Sequence, residues 1–144
     1  RLKTLKSNMD YGMFLPVQKA AIAAITGDQS CVAETRAAYE KRRDLLCDGF
    51  NAIGWQIDKP EATMFVWAKI PAHFNDSLKF VTELLERTGV LVTPGSAFGP
   101  SGEGYVRMAL VQDEEAIGKA VDAVKESGIL EENGRCREKQ GGRG

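Results

Sequence analysis

Residues 94–111, PGSAFGPSGEGYVRMALV, set a glycine-dense, nearly uncharged loop against an apolar run holding a single cation, Arg107. A guanidinium on a half-buried strand calls for an anionic partner, because burying an unpaired charge costs several kcal/mol, roughly, even after relaxation. Arginine offers a rigid planar fork that grips a carboxylate or phosphate through two parallel hydrogen bonds, which lysine does not. The glycines at 95, 99, 102 and 104 would let the preceding loop turn sharply and bring backbone close to a ligand. From these residues alone a plainer reading stands beside the first, an exposed strand arginine next to an ordinary glycine turn. A phosphate-cradling loop is disfavoured: no GxxxxGK[ST] occurs, and the spaced glycines of residues 99–104 precede a strand instead of a helix.

Other chemistry-bearing residues are sparse. His73, the lone histidine, follows Ile-Pro-Ala at a strand-to-helix connection with no Cys/His cluster around it, and it reads as structural or solvated. Cys31, Cys47 and Cys136 are odd in number and lack CxxC spacing, so neither a disulfide framework nor a zinc site is expected, and no metal site is expected at all. Trp55, Trp67 and Phe65 read as core or cross-strand packing. No residue of the chain is expected to act as a catalytic acid, base or nucleophile.

The elements that must position Arg107 follow from periodicity and punctuation. The start, RLKTLKSNMDYGMFLP, reads as irregular after a helix end, with Gly12 and Pro16 breaking it, and VQKAAIAAITG reads as a short alanine-rich helix stopped by Gly27. Val32, Tyr39, Leu46, Phe50 and Ile53 recur at helical spacing, which predicts a long amphipathic helix from Ser30 to Ile53, with a bend at Gly49. GWQIDKPEATMFVWAKIP predicts two strands joined at Lys-Pro-Glu. NDSLKFVTELLERTG predicts a helix with Leu78, Val81, Leu84 and Leu85 on its buried face; VLVTPG and GYVRMALV predict strands; DEEAIGKAVDAVKESG predicts a final helix with acids in its first turn. The expected class is α+β: a small mixed, mainly antiparallel sheet with helices packed on one side, preceded by a long helix. The expected divisions are 1–29, the end of an earlier region; 30–128, the sheet-bearing domain; and 129–144, a disordered polar tail. A chain that opens inside an element reads as part of a longer protein.

Composition narrows the function. A net charge of −1 with 27% charged and 43% hydrophobic residues is that of an ordinary globular protein, and it favours neither nucleic acid nor a membrane surface as partner. No apolar run approaches the roughly 20 residues of a membrane helix, and the basic start lacks the apolar centre of a signal peptide, so the expected location is cytoplasmic.

Three stretches, in order, resemble the class I/II aminotransferases, fold-type I enzymes that use pyridoxal 5′-phosphate: LKSNMDYGMFLPVQKAAIAAI, EATMFVWAKIP and GVLVTPGSAFGPSGEGYVRMALV. The last is similar to the family's C-terminal signature, in which a valine-rich strand leads through Pro-Gly and an aromatic-Gly turn to a strand bearing Arg. The resemblance runs from Arg1 to about Gly128 and is nearest the alanine, aspartate and LL-diaminopimelate aminotransferase subgroup. It implies the C-terminal small domain of such an enzyme, which moves an amino group between an amino acid and a 2-oxo acid, with Arg107 binding the substrate carboxylate. It also implies a homodimer, with Asn8 and Tyr11 as contacts near the neighbouring subunit's site. The family's cofactor lysine, in an SK…G.R.G stretch, has no counterpart here, so the cofactor is expected in the full-length parent and not covalently on this chain, which alone is expected to be inactive. The alternative is a non-catalytic dimerisation or regulatory module with an aminotransferase-like small domain.

Overall fold

In the computed structural model, which describes residues 1–10 and 12–131, the chain divides into two compact units, one covering Arg1–Ala37 and the other beginning at Ala38. The first unit holds helices α1 (Leu2–Asp10) and α2 (Leu15–Thr26) and the opening turns of α3 (Ser30–Ala52). Residues 2–10 are therefore helical where an irregular segment is expected from the sequence; the helix ends before Gly12, whose φ of 115° an L side chain rarely adopts. Pro16 sits in the first turn of α2, where its missing N–H costs no helical hydrogen bond, and the Gly27 N–H closes the other end on the Ala23 carbonyl at 2.9 Å.

The second unit is an α+β layer. Strands β1 (Phe65–Lys69), β2 (Thr93–Pro94) and β3 (Tyr105–Ala109) form a sheet in the order β1-β3-β2, and both pairings are antiparallel, so the sheet is purely antiparallel and not mixed. Alternation along the strands sends Val66, Ala68, Val106 and Met108 into one core with Leu46 and Phe50 of α3, Phe80, Val81 and Leu84 of α4 (Ser77–Thr88), and Ile117 and Val124 of α5 (Glu114–Ser127). Asp76 caps α4 by accepting from the Lys79 N–H at 2.9 Å, and Asp113 caps α5 by accepting from Ala116 at 2.8 Å. Gly89 and Gly128 close these helices in the left-handed conformation.

Three expectations are corrected here. The buried face of α4 is Phe80, Val81 and Leu84; Leu78 and Leu85 are exposed, because Phe80 is drawn into an aromatic cluster with Trp55 at 5.4 Å and Phe74 at 5.0 Å between ring centroids. α3 runs unbroken through Gly49, and the space of the missing side chain is used by Val121 of α5, whose Cγ2 would lie 2.9 Å from a Cβ there. The strand expected at Trp55–Asp58 is absent from the sheet although Trp55 and Ile57 are buried. Its backbone is satisfied another way: Asn51 accepts from the Ile57 N–H at 2.7 Å and donates to the Ile57 carbonyl at 3.0 Å, while the Trp55 indole donates to the Lys69 carbonyl at 2.7 Å. One amide side chain thus takes the place of a neighbouring strand. Asn51→Ala leaves both polar groups of a buried residue unpaired, and a loss of about 2–3 kcal/mol is expected in urea unfolding.

Ile129 and Leu130, assigned to the tail by the sequence reading, belong to the packed region: Ile129 is fully buried and Leu130 packs against the core. The rest of the expected tail, 132–144, lies outside the described residues.

Candidate functional site

Arg107 occupies the middle of β3, the central strand, opposite Trp67 of β1 and Thr93 of β2. Its neighbours Val106 and Met108 point into the core, so alternation places Arg107 on the other face of the sheet with Phe65, Trp67, Lys69 and Tyr105. That face is aromatic. Trp67 stacks on Tyr105 with centroids 5.9 Å apart and planes 20° from parallel, and its indole meets the ring of Phe98 edge-on at 5.6 Å.

Phe98 is delivered by the glycine loop, which folds as two short 3₁₀ turns, Gly95–Phe98 and Pro100–Gly102. Gly95 and Gly102 are buried against each other, backbone to backbone: a Cβ on Gly95 would lie 1.9 Å from the Gly102 carbonyl oxygen, and one on Gly102 would lie 2.1 Å from that of Gly95. Gly99 joins the turns at φ 111°, a conformation open to glycine and strained for other residues.

A carboxylate fastens this loop to α4. Glu103 Oε1 accepts from the Ser77 N–H at 2.6 Å and from the Gly104 N–H at 2.9 Å, and Oε2 accepts from the Ser77 hydroxyl at 3.2 Å; that hydroxyl, on a fully buried residue, also contacts the Ser96 Oγ at 3.1 Å. These donors, led by the Gly104 and Ser77 backbone N–H groups, hold the Glu103 carboxyl below the usual carboxylate range. The sign follows: a depressed folded-state pKa contributes stability that is complete above the unfolded value of about 4.3 and is lost as pH falls through the folded one. Trp67 fluorescence, which reports on Phe98, is expected to change on acidification below the ordinary glutamate range, whereas in Glu103→Gln this acid-side transition should be missing.

The guanidinium of Arg107 lies against two rings, with Cζ 4.2 Å from the centroid of Phe65 and 4.5 Å from that of Phe98. Its Nε is buried and has no hydrogen-bond partner among the described residues, and no ion pair joins it to a carboxylate there. The anion that the sequence calls for is thus not supplied by the described part of the chain; aromatic faces shield the cation instead. Phe65 and Phe98 are the residues that sequence reasoning left out of the site. Phe65 reads from sequence as packing, and only the aromatic-Gly turn hinted at Phe98.

The remaining candidates lie apart from this constellation. His73 Nε2 donates to the Ile129 carbonyl at 3.1 Å and its ring rests on Phe74 at 4.5 Å, which is a structural part. Cys47 is buried, and burial pushes its thiol pKa up, away from the thiolate a nucleophile needs; Cys31 is exposed and Cys136 lies outside the described residues. Asn8 is exposed on α1, and Tyr11 lies outside the described residues. Among the described residues no group of His, Cys, Asp or Glu could hold a metal ion, and no helix is long and apolar enough to cross a membrane.

A small antiparallel sheet backed by helices, with one arginine set among aromatic rings beside a glycine loop, is an architecture shared with a large enzyme family. The chain belongs to the class I and II aminotransferases, whose sequence profile matches residues 1–124. It is 44% identical to an LL-diaminopimelate aminotransferase of Moorella thermoacetica over 124 residues, 86% of this chain and 32% of that protein. It is likewise 44% identical over 126 residues to the glutamate-pyruvate aminotransferase AlaC of Escherichia coli, covering 86% of this chain and 31% of the relative. Among solved structures it is similar to an aminotransferase from Staphylococcus aureus, with a TM-score of 0.75 at 28% identity over 90% of this chain and 34% of the other. A probable N-succinyldiaminopimelate aminotransferase from Thermus thermophilus gives a TM-score of 0.73 at 30% identity over 87% of this chain and 33% of the other. The chain therefore spans about a third of the length of the relatives it matches.

Proposed function

We propose that this chain is the C-terminal part of a pyridoxal-phosphate-dependent aminotransferase, with residues 1–29 closing the large domain and 30–128 forming the small domain, and that Arg107 grips the substrate carboxylate. The observation that carries the reading is the Arg107 guanidinium: Nε buried without a partner, Cζ within 4.5 Å of two ring centroids, on the central strand. Every amino-acid donor and every 2-oxo-acid acceptor carries a carboxylate beside the reacting carbon, so one bidentate clamp serves both half-reactions and fixes that carbon in place. The flanking rings lower the local polarity around the cation, which strengthens the ion pair once it forms.

The residues present fit the substrate end of such a site and not the anchor of the cofactor. No SK…G.R.G stretch of the kind that carries the family's cofactor lysine occurs in residues 1–144. We accordingly assign the cofactor lysine to sequence of the whole enzyme that this chain does not span, and we expect the chain alone to be inactive and to form no covalent cofactor adduct. The same reading makes the enzyme a cytoplasmic homodimer with Asn8 and Tyr11 near the partner's site. Its test is Arg107→Ala in the full-length enzyme, with the absorbance of the bound cofactor as control: impaired use of both amino acid and 2-oxo acid with an unaltered cofactor band supports it, and unchanged kinetics for both overturns it.

A further inference from the structure

We propose that Phe65 and Phe98 are positioning residues that form a two-walled slot for the Arg107 guanidinium, so that a carboxylate can reach it only end-on, through Nη1 and Nη2. The proposal rests on the carboxylate role argued above and adds how the cation is aimed. A guanidinium has two π-faces and a rim of donors. Here the Cζ lies 4.2 Å from the ring centroid of Phe65 and 4.5 Å from that of Phe98, two rings from separate elements, and on the rim Nε is buried. What stays open to a ligand is the pair of terminal nitrogens, which matches the two oxygens of one carboxylate.

The two walls come from separate elements, and each is braced. Phe65 opens β1, paired with Ala109 across the ladder, two residues beyond Thr63, whose φ of 81° is unusual for a β-branched residue. Strain of that kind persists where the surroundings over-determine it, and here it sets the approach of the chain to the wall residue. Phe98 is held by the edge of Trp67, and its loop is locked by the Gly95–Gly102 contact and the Glu103 carboxylate. A ring on each side costs the free arginine little, because rings attract the cation, yet it removes the rotations that would let the fork tilt away from the sheet. Phe98 is 51% exposed, so its position over the guanidinium is not a by-product of core packing.

The experiment is a double-mutant cycle in the full-length enzyme, pairing Phe98→Leu with Arg107→Ala and using Phe98→Tyr as the variant that keeps a ring. Two quantities are read: KM and kcat for the 2-oxo acid, and the affinity of the cofactor-free protein for propionate, a bare carboxylate, by titration calorimetry. Phe98→Leu should raise KM and weaken propionate about five- to tenfold with kcat little changed, Phe98→Tyr should restore both, and in the Arg107→Ala background Phe98→Leu should add nothing. Full additivity of the two substitutions, or no effect of Phe98→Leu beside a clear effect of Arg107→Ala, overturns the slot and leaves the carboxylate role standing. Absence of any effect from Arg107→Ala overturns the carboxylate role itself. Phe65→Leu supplies the second wall independently and should reproduce the Phe98→Leu pattern; its failure to do so confines the positioning to one ring and overturns the two-walled form.

Discussion

Arg107→Ala is expected to lower kcat/KM of the full-length enzyme by about a hundredfold or more for both the amino acid and the 2-oxo acid, corresponding to ~3 kcal/mol. On the proposed carboxylate role, the magnitude is that of removing one partner of a charge pair set against Phe65 and Phe98. Arg107→Lys separates charge from shape. The ammonium restores the positive charge but not the planar fork, so recovery to within about tenfold of the parent is the most that is expected. Any turnover of an amine that lacks a carboxylate should be indifferent to both variants. Steady-state kinetics with the three substrate types check the result, and equal losses for the carboxylate-free amine would show that Arg107 acts through the fold instead of through the ligand.

The largest stability effect is expected at Gly95. A methyl group there would sit 1.9 Å from the Gly102 carbonyl oxygen and 2.7 Å from that of Tyr105, both backbone atoms that no rotamer change can move aside. Gly95→Ala must therefore prise the two 3₁₀ turns apart, with the Glu103 attachment and the Phe98 wall going with them. A loss of about 3 kcal/mol or more is expected, roughly 10 °C or more in Tm. Gly118→Ala is the matched control: this glycine lies inside α5, and a Cβ on it would meet nothing within 4 Å. There the better helix propensity of alanine should raise stability by about 0.5–1 kcal/mol. Denaturant unfolding of the two variants side by side checks both signs.

Much of this architecture is legible in the sequence, and the places where it is not have physical causes. The helix over Ser77–Thr88 is announced by Asp76 and Gly89, and the one over Glu114–Ser127 by Asp113 and Gly128, because caps are local chemistry. Ser30–Ala52 follows from its spacing. The segment at Trp55–Asp58 carries strand-like residues, yet its hydrogen bonds go to Asn51, a side chain whose role depends on where α3 ends in space and not on any period. Leu2–Asp10 carries Leu2, Leu5 and Met9 at helical spacing, but over so short a segment that Gly12 and Pro16 beside it outweigh the pattern. At the site, a charge in an apolar run singles out Arg107, whereas the two rings set against it come from positions 33 residues apart, through a loop whose path the sequence does not disclose. Glu103 looks like an ordinary loop acid until the Ser77 N–H is placed beside it.

The setting of Arg107 on the middle strand, between Val106 at 0% exposure and Met108 at 4%, ties the location of the cation to the hydrophobic pattern of the fold. Side chains on a strand change face at every step, so a slip of one residue in β3 would turn the guanidinium into the core and push valine and methionine into water. Insertions or deletions within Tyr105–Ala109 therefore cannot drift gradually from one specificity to another; they exchange a working surface for an inverted one. Change without inversion is open to the loop before the strand and to the rings around it, where length and shape can alter while the register stays.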